Sequence, residues 1–313
     1  MKSLIIGGAG FVGGYLIDHL TKNLKWDVHV TKLDTETIDK KYCEVCNLDI
    51  LNFLELKKLI KEINPDCIFH LAAQSSVSVS WEKPNLTVDV NINGCINLLE
   101  AVRSLNINPK ILLVGSAEEY GKITDDINIV KESHSINPSN IYAATKACQN
   151  MIGKIYSDAY DMDIVMARSF NHFGPKQAPI FVVSDFCKQV AEIEKNLKDP
   201  VIRVGNLSVF RDFTDVRDIV RAYSLLIQKG IKGETYNVGS GKAIKIKDIL
   251  NIILEESGCK INIERDQDRF RPVDVPVIKA DISKIVNTTG WSLQIDIRTT
   301  VKDTLNYWRN IIE

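Results

Sequence analysis

Apolar residues occur along the first half of the chain in short, nearly unbroken runs, near positions 4–6, 27–30, 44–48, 66–71, 111–114 and 163–168. Between them lie stretches with helical periodicity. Unbroken apolar runs suit strands buried on both faces, and strand alternating with helix predicts an α/β fold, a doubly wound parallel sheet with helices on either side. Beyond Asn171 the rhythm is less regular, with a helix expected over 182–193 and Pro200 before a short strand. Two later helices are amphipathic: Ile246, Ile249, Leu250 and Ile253 share one face, as do Val301, Leu305, Trp308 and Ile312. Both stripes fit core packing better than ligand contact. No repeat, low-complexity tract or long linker separates the halves. The expected division is therefore interleaved, with residues 1–168 as a first unit, 215–239 returning to it, and 169–313 forming mainly a second, smaller one.

The end of the first apolar run changes the picture from architecture to chemistry. Lys2 to Ile6 leads into Gly7-Gly8-Ala9-Gly10-Phe11-Val12-Gly13 and then a helical pattern. In such a strand, turn and helix, Gly7 permits the tight turn, Gly10 lets backbone approach a pyrophosphate, and Gly13 allows close helix packing. The helix N-terminus adds amides and the positive end of its dipole. This context marks the first unit as dinucleotide-binding. A second apolar run, Leu112-Leu113-Val114-Gly115, ends in Ser116, at the sheet edge where the glycine loop would also lie. Downstream, Tyr142 and Lys146 stand four residues apart, one helical turn on a single face. An ammonium beside a phenol stabilises phenolate, so the pair can trade a proton with a substrate oxygen. Taken singly, a serine at a strand end is a turn cap and a Tyr/Lys spacing is an ordinary solvated face. Their combination with the glycine loop is what carries the reading.

Composition narrows the partners. A chain of 313 residues can bury a large core, and a net charge of −1 with a pI near 6.5 offers no electrostatic footing for nucleic acid or an anionic membrane. No apolar run approaches the roughly 18 residues of a membrane span, and Met1-Lys2 passes directly into the first strand, so a cytoplasmic protein is expected. The seven cysteines are scattered. Cys43 and Cys46 have no second pair at zinc-site spacing, so the cysteines read as reduced packing residues and no metal site is suggested.

The glycine loop, Leu48-Asp49-Ile50, His70-Leu71-Ala72-Ala73, Asn91-Ile92-Asn93-Gly94, the serine segment and the Tyr142/Lys146 pair together resemble an extended short-chain dehydrogenase/reductase of the nucleotide-sugar branch. The resemblance spans nearly the whole chain and implies a Rossmann-type sheet with a smaller substrate domain. It also implies that Asp49 and Ile50 contact adenine, that Leu71, Ala72 and Ala73 line the nucleotide beside Phe11 and Val12, and that Asn91 belongs to the cofactor set. Lys146 would additionally bond the nicotinamide ribose. On the substrate side it implies that Asn171, Val182, Arg211, Arg271 and Asp274 grip a nucleoside diphosphate, a role that the planar donor fork of arginine suits.

Within that branch, segments 115–121, 171–175, 181–186 and 205–218 resemble reductases of GDP-linked 4-keto-6-deoxy sugars, whose products include GDP-rhamnose. In that reading Tyr142 gives a proton to the 4-keto oxygen, Ser116 steadies the oxygen, and Lys146 favours phenolate once the proton has left. Glu118 fits the alternative, a 4,6-dehydratase or 4-epimerase with recycled cofactor, because a dehydratase needs an additional acid/base there. Ala117 stands where the dTDP-glucose dehydratases carry an aspartate. A noncatalytic dinucleotide sensor is the third reading. The cofactor is NADP or NAD: Lys32 near the end of the second strand tilts the choice toward NADP, while Asp34 falls two residues beyond the position of the usual ribose-binding acid. Family resemblance also implies a homodimer, through helices near 91–103 and 142–156.

Overall fold

A computed structural model describes residues 1–38, 43–122, 129–269 and 279–312. Arg271 and Asp274 lie outside the described residues. The first half runs β1 (Lys2–Ile6), α1 (Phe11–Asp18) with a π-helical extension to Asn23, β2 (Asp27–Lys32), β3 (Glu44–Asn47), α2 (Phe53–Ile63) and β4 (Cys67–His70). It continues through α3 (Val77–Glu82), α4 (Pro84–Val88), α5 (Gly94–Leu105), β5 (Lys110–Ser116), a 3₁₀ turn (Ala117–Tyr120), β6 (Ile129–Val130), α6 (Ile141–Tyr160) and β7 (Ile164–Ser169). The second half contributes β8 (Asn171–Phe173), α7 (Val182–Glu194), β9 (Val201–Val204), β10 (Phe210–Asp215), α8 (Val216–Lys229), β11 (Thr235–Val238) and β12 (Ala243–Lys245). It closes with α9 (Ile246–Ser257), β13 (Asn262–Arg265), β14 (Lys279–Ala280), α10 (Ser283–Thr289) and α11 (Ile297–Ile311).

Seven strands form one sheet in the order β11-β7-β5-β4-β1-β2-β3, and every pair is parallel. The chain winds outward from β1 in both directions, so β1 and β4 flank a switch point at which a crevice opens at the carboxyl edge. This is the doubly wound α/β fold that the apolar runs predict. Its central strands β1, β4, β5 and β7 are short and almost wholly buried because both faces are covered, whereas β3 at the edge is exposed at both ends. On one face Leu16, Leu20, Ile219, Tyr223 and Leu226 pack with Ile5, Val28 and Val165. On the other, Leu56, Ile60, Leu98 and Val102 pack with Leu4, Ile68 and Leu113. The expected strand over 66–71 closes at His70, because the Leu71 and Ala72 amides both turn to the Ile6 carbonyl and draw the chain over the end of β1.

The smaller lobe holds a separate apolar core of Phe173, Val183, Phe186, Val190, Ile249, Ile253, Val301 and Leu305. Positions 171–173, where the sequence rhythm breaks down, form strand β8, which pairs parallel with β10. A three-residue strand is too short to show a period, so its pairing comes from the lobe rather than from its own pattern. Among the described residues no helix is long and apolar enough to cross a membrane.

Candidate active site

The glycine loop is shaped by steric necessity at Gly7, Gly8 and Gly13, a Cβ on Gly8 falling 2.0 Å from Val30 Cγ1 of β2. Gly7 has φ +82°, and a Cβ there would lie 2.5 Å from the Ala72 Cα. A Cβ on Gly13 would lie 2.2 Å from the Gly8 carbonyl oxygen, so α1 can close on the loop only without one. Gly10, by contrast, faces open space, its nearest neighbour being the Gly7 oxygen at 3.7 Å, and it caps α1 with no side chain of its own. Backbone amides at the start of α1 are therefore approachable, as a pyrophosphate requires. The loop is steadied from β2, where the Thr31 hydroxyl accepts from the Gly7 amide at 3.1 Å.

Above this loop lies a cavity of about 920 Å³, toward the upper end of the roughly 300–1,000 Å³ usual for ligand sites. Gly7, Gly10, Phe11, Val12 and Gly13 line its floor, with Asp49, Ile50, Leu71, Ala72 and Ala73 beside them. Lys32 lines it at the end of β2, where its ammonium donates to the Leu33 carbonyl, and Glu36 also reaches the wall. The open amides, the glycines without Cβ atoms and this apolar flank fit a nicotinamide dinucleotide. Asn91 is different. It is fully buried, accepts from the Gln74 amide at 2.8 Å, and donates to the Gln74 carbonyl and the Thr145 hydroxyl. Its amide ties the loop after β4 to α6 instead of facing the cavity, a correction to its expected place in the cofactor set.

The catalytic candidates meet where β5 ends against the first turns of α6. Asn140 caps that helix by accepting from the Ala143 amide at 2.8 Å, which fixes Tyr142 at the cavity wall. Ser116 lines the same wall as Tyr142, and its hydroxyl accepts from the Glu118 amide at 3.2 Å. Burial raises the Tyr142 phenol well above its ordinary value; Ser116 opposes this, while Glu118 and Glu119 add to it. The phenol is neutral and ready to donate.

Lys146 is held by acceptors on β5 and on its own helix. Its ammonium donates to the Val114 carbonyl at 2.8 Å and to Gln149 Oε1 at 3.1 Å, so both of its hydrogen bonds point to the end of β5 and along α6, not to the phenol. Helical spacing puts Tyr142 and Lys146 on one face, but a four-carbon stem reaches whichever acceptor the tertiary fold supplies. Burial lowers Lys146 to about 8, against the opposing influence of Cys95 and Glu119. His70, buried near it, is held neutral, down to about 3, by burial and then by the Lys146 charge.

Glu118 lines the same cavity, half-buried, and accepts from Asn140 Nδ2 at 3.2 Å. Asn171, Val182 and Arg211 line its far side, on β8, α7 and β10. The Arg211 guanidinium donates to the Phe210 carbonyl. Asp212 next to it is buried, accepting from the Ser240, Gly241 and Ala280 amides, which anchors β10. Sequence reasoning missed two groups. An Asp185–Arg269 ion pair lines the far end of the cavity, and Glu119, buried behind Ser116, pairs with Arg168. The signal for the second was an arginine at the end of an apolar run, a charge that must find a partner. Tyr120 is not a cavity residue. It is buried, and its hydroxyl donates to Asn237 Oδ1 at 2.6 Å.

A family model described as GDP-mannose 4,6 dehydratase matches residues 4–304. The chain belongs to this family. It is an extended short-chain dehydrogenase/reductase of the nucleotide-sugar branch, a family of NAD(P)-dependent enzymes. A GDP-6-deoxy-D-mannose reductase from Pseudomonas aeruginosa is 29% identical over 246 residues, covering 79% of this chain and 81% of the relative. The structure of RMD from Pseudomonas aeruginosa complexed with NADPH matches with a TM-score of 0.89 at 26% identity, covering 100% of both chains. A UDP-glucose 4-epimerase from Thermus thermophilus in complex with NAD matches with a TM-score of 0.88, also at 26% identity and 100% of both chains.

Proposed function

We propose that this protein reduces the 4-keto group of a GDP-linked 4-keto-6-deoxyhexose with NADPH or NADH, giving GDP-rhamnose or a related deoxysugar. The observation that carries the reading is that the buried, neutral Tyr142 phenol and Ser116 share the wall of one cavity that runs from the glycine loop to Arg211. The likeness to a GDP-6-deoxy-D-mannose reductase supports the substrate class. The bound cofactor would supply hydride, held by the amides at the start of α1, by Asp49, Ile50, Ala72 and Ala73, and through its ribose by Lys146. Tyr142 donates its proton to the ketone oxygen, and Ser116 holds that oxygen in line. Lys146, one turn along α6 and lining the same cavity, is the cation that would favour the phenolate left behind. Arg211 meets the diphosphate, and Asn171 and Val182 bound the nucleotide. Residues 1–168 with 215–239 hold the dinucleotide, and the rest of 169–313 holds mainly the sugar nucleotide.

Lys32 favours NADPH, because its ammonium lies at the cavity rim where a 2′-phosphate would approach. Two copies pair through α5 and α6, a face on which Met151 and Ile155 are more than half exposed. A second reading, a GDP-mannose 4,6-dehydratase that regenerates its cofactor, draws on Glu118, whose carboxylate lines the cavity close to Ser116 and Asn140.

One assay separates the two. Purified protein is given NADPH or NADH with GDP-4-keto-6-deoxymannose made in place by a separate dehydratase, and near-ultraviolet absorbance of reduced cofactor is followed. Substrate-dependent loss, faster with NADPH, is expected. Stable absorbance together with conversion of GDP-mannose to a 4-keto product by this protein alone would replace the reductase with the dehydratase.

A further inference from the structure

Behind the cavity wall, Glu119 joins the strand that carries Ser116 to the helix that carries Tyr142. Its Oε1 accepts from the Ser116 amide at 2.8 Å and from Asn150 Nδ2 at 2.8 Å, and its Oε2 accepts from Arg168 Nε at 2.9 Å. All three side chains are buried, with Glu119 at 0% exposure, Asn150 at 4% and Arg168 at 6%. Asn150 lies one turn past Lys146 and two past Tyr142 on the same face of α6. Arg168 sits directly across from Gly115 in the β5–β7 register, and it is held in turn by the Tyr120 hydroxyl and the Glu132 carbonyl, each at 3.1 Å.

Gly115 shows how closely this arrangement is fitted. A Cβ there would lie 2.3 Å from both Asn150 Nδ2 and Glu119 Oε1, so carboxylate and amide fill the space a side chain would take. The reciprocal bond between Ser116 and Glu119 is a capping box, which serves the 3₁₀ turn alone. The bond to Asn150 serves no cap: it spans two elements and leads to the helical face of the proton donor. A buried ion pair is also poor evidence of stability, since apolar groups of like volume commonly serve as well.

We propose that Glu119, locked by Asn150 and Arg168, is a positioning residue that sets the separation of Ser116 and Tyr142 for proton donation. This rests on the reading above, in which Tyr142 donates and Ser116 holds the ketone oxygen. Removing the bridge leaves α6 tied to β5 through the Lys146 and Gln149 bonds to the Val114 carbonyl but frees the turn that carries Ser116 to shift against Tyr142, while the glycine loop and the far end of the cavity keep their ligands. A misplacement of about 1 Å is enough to lower turnover by roughly 10²-fold.

The test is a cycle of Glu119→Gln, Asn150→Asp and the two together, with Asn150→Ala and Tyr142→Phe as companions. Glu119→Gln turns an amide donor against the Asn150 donor. Asn150→Asp restores an acceptor opposite it and returns a negative charge beside Arg168. Each single change is expected to lower kcat by about 10-fold to 100-fold with KM for the keto sugar little altered, and the double variant is expected to recover to within a few-fold of the parent. Independent structural roles would instead multiply the two losses, and that result would overturn the proposal, as would single variants with the parent kcat. Should Glu119→Gln fail to fold, Asn150→Ala removes the bridge and leaves the ion pair, and an unchanged kcat there is equally decisive against it. Full activity in Tyr142→Phe would instead remove the proton-donor reading on which the proposal rests.

Discussion

On α6, Lys146 is a buried ammonium held by a carbonyl and an amide oxygen, whereas on β7 Arg168 is a buried guanidinium held by the Glu119 carboxylate. Neutral acceptors leave the burial of Lys146 only partly compensated, and its pKa falls to about 8. The charge and hydrogen bonds of Glu119 and the Tyr120 hydroxyl outweigh the burial of Arg168, which is raised and stays charged. The difference separates two uses of a buried cation. One is left close to titration on the cavity wall, and the other is locked in its charged form by a carboxylate.

The sharpest way to break this comparison is at Tyr142, the group that both cations are proposed to serve. Tyr142→Phe is expected to lower turnover by about 10³-fold while cofactor binding, measured by fluorescence titration, stays near the parent value. Next is the locked cation. Arg168→Met leaves the Glu119 carboxylate buried and unpaired, with an expected loss of about 3–5 kcal/mol in denaturant unfolding. Adding Glu119→Met should recover most of that stability but not kcat, which separates the frame from the fold.

The adjustable cation should reveal itself through pH. Lys146 is lowered in the folded state from 10.5 to about 8. The unfolded chain therefore binds the proton more tightly between those values, and unfolding free energy rises as pH climbs through the window. Below pH 8 the burial cost is fully present, on the order of 3 kcal/mol. Lys146→Met should accordingly be more stable than the parent near pH 7, with the advantage shrinking toward pH 10.5; a constant difference would refute an uncompensated ammonium. Smallest is the effect at the exposed rim. Lys32→Ala should raise KM for NADPH several-fold and leave that for NADH nearly unchanged, since a screened surface contact contributes only about 1 kcal/mol.

What could be read in advance divides along the same line. The glycine loop, the strand ending at Ser116 and the Tyr142/Lys146 spacing are local patterns, and the structure brings all of them to one cavity. Asn91 was misplaced because an asparagine near a nucleotide-binding edge has several backbone groups in reach, and Gln74 captured it. The acceptor of Lys146 was not legible for a related reason: its helical face is periodic, but Val114 belongs to another element. The three-residue β8 carries Asn171 with no period long enough to announce it, so Asn171, like Arg211 on β10, was reached through the family resemblance.

By itself the sequence determined the α/β class, the glycine loop between strand and helix, and the Tyr142/Lys146 spacing, since each follows from hydrophobic period or from spacing within one element. Only the tertiary structure decided that Gly115, Glu119, Asn150 and Arg168 converge, because strand register and helix docking bring together residues up to 53 positions apart, and no local pattern records which buried charge will meet which.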